Sequence, residues 1–414
     1  MGNDFQIRFA DRMKQLPPYL FGMINKMTME KRWQGDDVID LGMGNPSDPA
    51  PGPVTEKLRE VAADPKSHRY PVAGGMKNLK REIALYYQRN YGVGLDGDDD
   101  VICTIGSKEG ISHICLALLG PGDTVLVPAP SFPIHVYAAV IAGANVLRIP
   151  LSTEDEFIAH IVSMCKSLYP GPKLLMLNFP HNPTGTLASK EFFREVVRLA
   201  KRYHFMVIND FAYAKITFDD YVAPSFLEVD GAMDVGVEFG SFSKSYNMAG
   251  WRLGYCVGNT EIIKGLSQIK GYYDYGIFSA IQVAGIVAMR DCDTEISAQA
   301  NIYRRRRDVL CEGLERMGWS VPVPKAGMFV WTPIAAPYDQ MGSIRFAVEM
   351  MRRANVAMAP GAGFGDEGDG YLRLALVENE NRIRQALKQM RQSLRDIDKE
   401  METGAFDFDL KPVF

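Results

Sequence analysis

The chain has 414 residues, more than one hydrophobic core usually organises, so two domains are expected. With 47% hydrophobic and 23% charged residues and a formal net charge of -4, it has an ordinary globular composition. It carries no basic footprint for nucleic acid or an anionic membrane surface, which leaves small molecules or a second copy of the chain as expected partners.

The first 19 residues lack an apolar signal core, and no run reaches membrane-spanning length, so the cytoplasm is the expected location. Residues 1–47 read as an arm: a short amphipathic piece, a break at Pro17-Pro18, then "DVIDLGMGNPSDP". From about 100 to 260, short apolar strands alternate with helical stretches, the pattern of an α/β fold with a mostly parallel sheet. The strands are "VICTIG", "TVLVPAP", "NVLRIPL", "KLLMLNFP", "FMVIND", "VGVEFGSFS" and "RLGYCVGN". Between them "SKEFFREVVRLAKRYH" reads as a helix capped by Ser189.

After about residue 300 the texture changes. A basic helix around "YRRRRDVLCEGLERMG" leads to the strands "GMFVWTPI" and "GYLRLALV". The four consecutive arginines at 304–307 precede Asp308, Glu312 and Glu315 and read as a solvated face. The last helix carries Ile383, Leu387, Met390, Leu394 and Ile397 along one side, a packing stripe. Six cysteines are scattered with no zinc spacing and read as small buried hydrophobes of a reducing compartment; no metal is expected.

Polar residues collect where an α/β sheet places its ligand site, at the carboxyl ends of strands. "TIGSKEG" runs from strand to helix, so the amides of Ser107, Lys108 and Glu109 form an anion site. "NFPHNPTG" ends a strand with Asn182, and "INDFAY" supplies Asp210 and Tyr213. "SFSKSYNMAGWRLGY" adds Ser241, Lys244 and Arg252. A lysine for an aldehyde, an acid for a pyridine nitrogen, donors for a phenolic oxygen and a cradle for phosphate together describe a holder for pyridoxal 5′-phosphate.

At these motifs the chain resembles the class I aminotransferases, the fold-type-I pyridoxal-phosphate enzymes. The likeness runs from "DLGMGNP" to "GYLRLALVENENRIRQAL", and the lysine motif is its most specific part. The resemblance implies a large cofactor-binding domain over 48–300 with a mostly parallel sheet. It also implies a smaller α+β domain over 301–414, packed with the arm 1–47. Lys244 resembles the Schiff-base lysine and proton shuttle, and Asp210 the partner of the pyridinium nitrogen. Asn182 and Tyr213 match the ligands of the phenolic oxygen. Ser107, Ser241 and Arg252 match the phosphate ligands, with Lys108 giving its amide. Phe132 stands where relatives stack a tyrosine or tryptophan on the ring. Tyr70 resembles a tyrosine reaching the neighbouring subunit's phosphate, which implies a homodimer with shared sites. Arg373 resembles the clamp on the substrate α-carboxylate, Gly44 the glycine whose backbone approaches it, and Tyr19 a residue of the covering arm.

The activity implied is ping-pong transamination between an L-amino acid and a 2-oxo acid. "LPPY", "GSKEG" and "KSYNMAGWR" are similar to the branch that includes bacterial glutamate–pyruvate (alanine) transaminases. The expected pair is therefore alanine with 2-oxoglutarate, against LL-diaminopimelate, aspartate or methionine aminotransferase, or a C–S lyase on the same scaffold. "GYYDYGIF" offers no arginine for a distal carboxylate, which leaves Lys108, Arg69 or neutral donors.

Overall fold

The computed structural model describes residues 7–407; the ends of the expected arm and small domain, 1–6 and 408–414, lie outside them. Seven strands build the larger sheet: β2 (Val101–Thr104), β3 (Thr124–Ala129), β4 (Asn145–Pro150), β5 (Leu174–Leu177), β6 (Met206–Asp210), β7 (Gly236–Ser241) and β8 (Gly254–Gly258). They follow β1 (Ile39–Asp40) in the chain. The spatial order is β2-β8-β7-β6-β5-β3-β4. Neighbours from β7 to β4 pair in parallel, while β8 runs antiparallel to both β2 and β7. Every expected strand in this stretch is present.

The unbroken apolar runs reflect helices on both faces. In β5, Leu174 and Met176 join one buried cluster, with Ile111 and Ile114 of α2 (Ser107–Leu118) and Ile134 of α3 (Pro133–Ile141). Leu175 and Leu177 join the other, with Phe192, Phe193, Val196 and Val197 of α4 (Lys190–Tyr203). Ser189 caps α4, accepting the Phe192 N–H at 3.0 Å, and α5 (Thr260–Tyr273) packs on the same face as α2. An unforeseen helix, α1 (Leu20–Trp33), precedes β1.

A second core forms around β11 (Ala359–Pro360), β12 (Tyr371–Ala375) and β9 (Phe329–Pro333), an antiparallel sheet in that order. β10 (Val356–Ala357) pairs in parallel with β1, which ties the arm to this half. All five residues of the expected stripe on α7 (Glu380–Glu402) are buried in it. We propose that the division between the two halves lies within α6 (Asp293–Glu315), which spans the anticipated 300/301 boundary. Ile296 of α6 belongs to the first half's core, and Leu310, Cys311 and Leu314 belong to the second's.

The arginine run is not one solvated face. Arg306 and Arg307 are each only 4% exposed. Arg306 grips Asp48 through Nη1 at 2.7 Å and Nη2 at 2.8 Å, and Arg307 holds Asp219 and the Pro324 carbonyl. Helical rotation sends these two inward, and the buried guanidinium groups are tolerated because each is paired and bonded to backbone oxygen.

Candidate active site

The strand ends of the large sheet and the middle of β12 line one cavity of ≈ 820 Å³. Ser107, Lys108, Phe132, Asn182, Asp210, Tyr213, Ser241, Lys244, Arg252, Arg373, Gly44 and Tyr19 all line it. Tyr70 stands apart, 84% exposed and packed on Tyr275 with ring centroids 4.8 Å apart. Arg69 is exposed.

Asp210 ends β6 and is buried. Its Oδ2 lies 3.0 Å from Nε2 of His135, whose Nδ1 faces the Ser131 hydroxyl at 3.4 Å. Asn178 donates to the Asp210 carbonyl at 2.6 Å, and its own amide oxygen accepts the Asn182 N–H at 2.9 Å. Neither His135 nor Asn178 was expected from the sequence, although His135 lies one helical turn beyond Ser131. The other carboxylate oxygen, Oδ1, is buried with no hydrogen-bond partner among the described residues. Such an atom is costly unless a ligand satisfies it.

The Asn182 side chain links Tyr213 to Arg373. Its Nδ2 donates to the Tyr213 hydroxyl at 3.2 Å, and its Oδ1 accepts from Arg373 Nη1 at 2.9 Å. Burial raises the Tyr213 pKa above its ordinary value, against a smaller lowering by Arg373. Arg373 rises from β12 and donates through Nη2 to the Gly42 carbonyl at 3.0 Å. Phe329 and Phe364 cover its guanidinium, with centroids 4.0 and 4.7 Å away. Burial pulls its pKa down to about 10, and its Nε has no hydrogen-bond partner among the described residues. Gly44 leaves room beside it: a Cβ there would stand 2.6 Å from Phe329 Cζ and 4.0 Å from Arg373 Nη2.

Lys244 sits in a single helical turn, Phe242–Ser245, capped by Ser241, whose hydroxyl accepts the Ser243 N–H at 3.1 Å. Its Nζ donates to the Gly44 carbonyl at 2.6 Å. Burial, then the charges of Arg373 and Arg252, lower its pKa to about 8, with Asp210 opposing.

At the other end, Gly106 turns β2 into α2 with φ +75°, and a Cβ there would collide with the Arg252 guanidinium. Arg252 donates to the Ala249 carbonyl at 2.9 Å and the Ile105 carbonyl at 3.4 Å. Lys108 Nζ lies 5.8 Å from the Tyr19 ring centroid. Burial and Arg252 lower the Lys108 pKa, and burial raises that of Tyr19. Phe132 caps the start of α3, edge-on to His135. Asn25, Arg32 and Asp40 also line the cavity and were not anticipated.

The sequence profile of the family "Aminotransferase class I and II" matches residues 36–396. The chain belongs to this family. It is 48% identical over 387 residues to the glutamate–pyruvate aminotransferase AlaC of Escherichia coli K12, covering 93% of each chain. It is 40% identical over 384 residues to an LL-diaminopimelate aminotransferase of Halothermothrix orenii, covering 93% of this chain and 98% of that one. The substrate-bound BacF structure from Bacillus subtilis superposes with a TM-score of 0.88 at 31% identity, covering 94% of this chain and 98% of that one.

The aminotransferase is thus a fold-type-I enzyme whose family uses pyridoxal 5′-phosphate. The cavity fits that cofactor. It offers a lone buried acid oxygen on Asp210, a lysine of lowered pKa, and a strand-to-helix turn flanked by Arg252. No helix among the described residues is long and apolar enough to cross a membrane.

Proposed function

We propose that the enzyme exchanges the amino group between alanine and 2-oxoglutarate in the cytoplasm, as a homodimer with shared sites. The observation that carries the reading of the site is the convergence of Lys244, the unpaired Asp210 Oδ1 and the buried Arg373 on one cavity. The similarity to AlaC supports the alanine–glutamate pair over the LL-diaminopimelate alternative, to which identity is lower.

In this reading Ser107, Ser241, Arg252 and the amide of Lys108 hold the cofactor phosphate. Phe132 stacks on the ring, and Asn182 and Tyr213 hold the phenolic oxygen. When bound, the cofactor supplies a sink for the electron pair left on the substrate Cα. Asp210, steadied by His135, keeps the ring nitrogen protonated through its free oxygen. Arg373 clamps the α-carboxylate beside Gly44, a task suited to a planar guanidinium. A pKa lowered to about 8 leaves far more of the Lys244 amine unprotonated near neutral pH than an ordinary lysine would have. With cofactor and substrate in place, the Lys244 amine would take the proton from the substrate Cα and hold it beside the bound cofactor. Tyr70, exposed on one subunit, reaches the phosphate held by its neighbour.

Purified enzyme assayed against a panel of amino donors and 2-oxo acids tests the substrate pair. Alanine with 2-oxoglutarate is expected to lead; a wide preference for LL-diaminopimelate would overturn it. Mixing inactive Lys244→Ala with a weakened Tyr70→Phe enzyme tests the shared site. Activity should partly return, because one site of the mixed dimer keeps both residues. No recovery after demonstrated subunit exchange would place Tyr70 outside the site.

A further inference from the structure

Lys270, at the end of α5, is a fully buried lysine that lines no part of the active-site cavity. Its Nζ donates to Glu109 Oε1 at 2.9 Å and to Asp274 Oδ2 at 3.0 Å. Each carboxylate gives its second oxygen to backbone. Glu109 Oε2 accepts the Ile105 N–H at 2.8 Å, and Asp274 Oδ1 accepts the Gly276 N–H at 2.7 Å. His113 lies against Glu109 through Nδ1, 3.9 Å from Asp274 Oδ2, and its ring packs on Tyr273. Glu109, His113 and Asp274 bring ligand atoms within 4.8 Å of one another, as a metal site would, but an ammonium already stands between the two acids.

The two backbone groups held this way belong to functional segments. Ile105 is the first residue of the turn that presents Ser107, and its carbonyl also takes the Arg252 Nη2–H. Gly276, at φ +85°, follows Tyr275, which packs on Tyr70. Without the ammonium two part-buried acids would face each other with only the His113 ring beside them, which would weaken the hold of Glu109 on Ile105.

We propose that Lys270 is a positioning residue for the cofactor phosphate: its ammonium locks the Ile105–Ser107 turn on one side and the loop bearing Tyr275 on the other. This rests on the reading of that turn as part of the phosphate cradle. The test titrates apoenzyme with pyridoxal 5′-phosphate and, separately, with pyridoxal, which lacks the phosphate. In Lys270→Met the dissociation constant for the phosphorylated cofactor should rise about tenfold or more, as for loss of one charge-assisted hydrogen bond. Affinity for pyridoxal should move by less than about twofold on the same scale, and Lys270→Arg should recover most of the loss. Equal weakening of both ligands, or unchanged binding of the phosphorylated one, would overturn the proposal. If Lys270→Met does not fold, Glu109→Gln decides, since it keeps an acceptor for Ile105 and removes the charge. Selective loss of the phosphorylated ligand supports the proposal, and its absence refutes it. Arg252→Gln separates the two levels. If it spares phosphate selectivity, the cradle reading itself fails; if it loses selectivity while the Lys270 and Glu109 variants do not, only the role of Lys270 falls.

Discussion

Arg373 and Arg252 face one cavity from opposite ends and are held by opposite means. Arg373 is 4% exposed, sandwiched by Phe329 and Phe364, and bonded to a side chain that itself bonds Tyr213. Arg252 is exposed and touches only backbone carbonyls, from a left-handed residue at φ 55°. At the buried end the guanidinium is already held before any ligand arrives, by the Asn182 side chain and the Gly42 carbonyl. The exposed end relies on amides of a turn and on groups that solvent screens. Substitutions should therefore cost most at the buried end, where a lost partner leaves an unsatisfied group, and least at the exposed end.

The largest effect expected is for Asp210→Asn. Cofactor should still bind, while kcat falls by roughly 10²–10³, the range for removing one preorganised electrostatic group. Near-normal turnover would show that Asp210 does not pair with the ring nitrogen. Arg373→Lys comes next: it exchanges a two-bond fork for a point charge. The loss of about 1.5–3 kcal/mol corresponds to a roughly 10- to 150-fold drop in kcat/KM for alanine and glutamate alike. A drop confined to one substrate would contradict a clamp on the α-carboxylate.

The pH profile sharpens the same contrast. A lysine whose pKa is lowered to about 8 is mostly free amine above that pH and protonated below it. Acylation of Lys244 in apoenzyme should therefore slow about tenfold per pH unit below 8 and level off above it. A rate still climbing toward pH 10 would mean an ordinary lysine. The smallest effect belongs to the exposed end. If the Lys108 ammonium meets a distal carboxylate, Lys108→Met should raise KM for glutamate about threefold, from loss of one rim charge, and leave alanine unchanged. Equal effects on both substrates would limit Lys108 to its backbone amide.

Much of this was legible because buried parallel strands leave unbroken apolar runs, and because Lys244, Asp210 and Asn182 sit just where such runs stop. His135 was not legible: within "PIHVYAAVI" a histidine reads as packing, and only the fold brings Asp210 against it, 75 positions away. The arginine run misled for a similar reason. The acids that draw Arg306 and Arg307 inward lie 258 and 88 residues distant, so nothing nearby signals burial. Helix α1 escaped notice because only Phe21, Ile24 and Thr28 of its 14 residues are buried, too few to print a stripe. Strands β1 and β10, two residues each, are defined by their pairing alone.

The reversed strand β8 has a consequence for engineering. Because β7 climbs and β8 descends, the chain leaves the sheet at Ser241 and re-enters at Gly254, two residues that are direct partners in the register. Everything between them, Lys244 and Arg252 included, leaves and re-enters the sheet at adjacent strands, while Lys244 still bonds the Gly44 carbonyl and Arg252 the Ile105 carbonyl outside the segment. An exchange of this segment with that of a relative would join at one paired position, whereas a parallel β8 would have required a crossover and placed Arg252 at the opposite end of the strands.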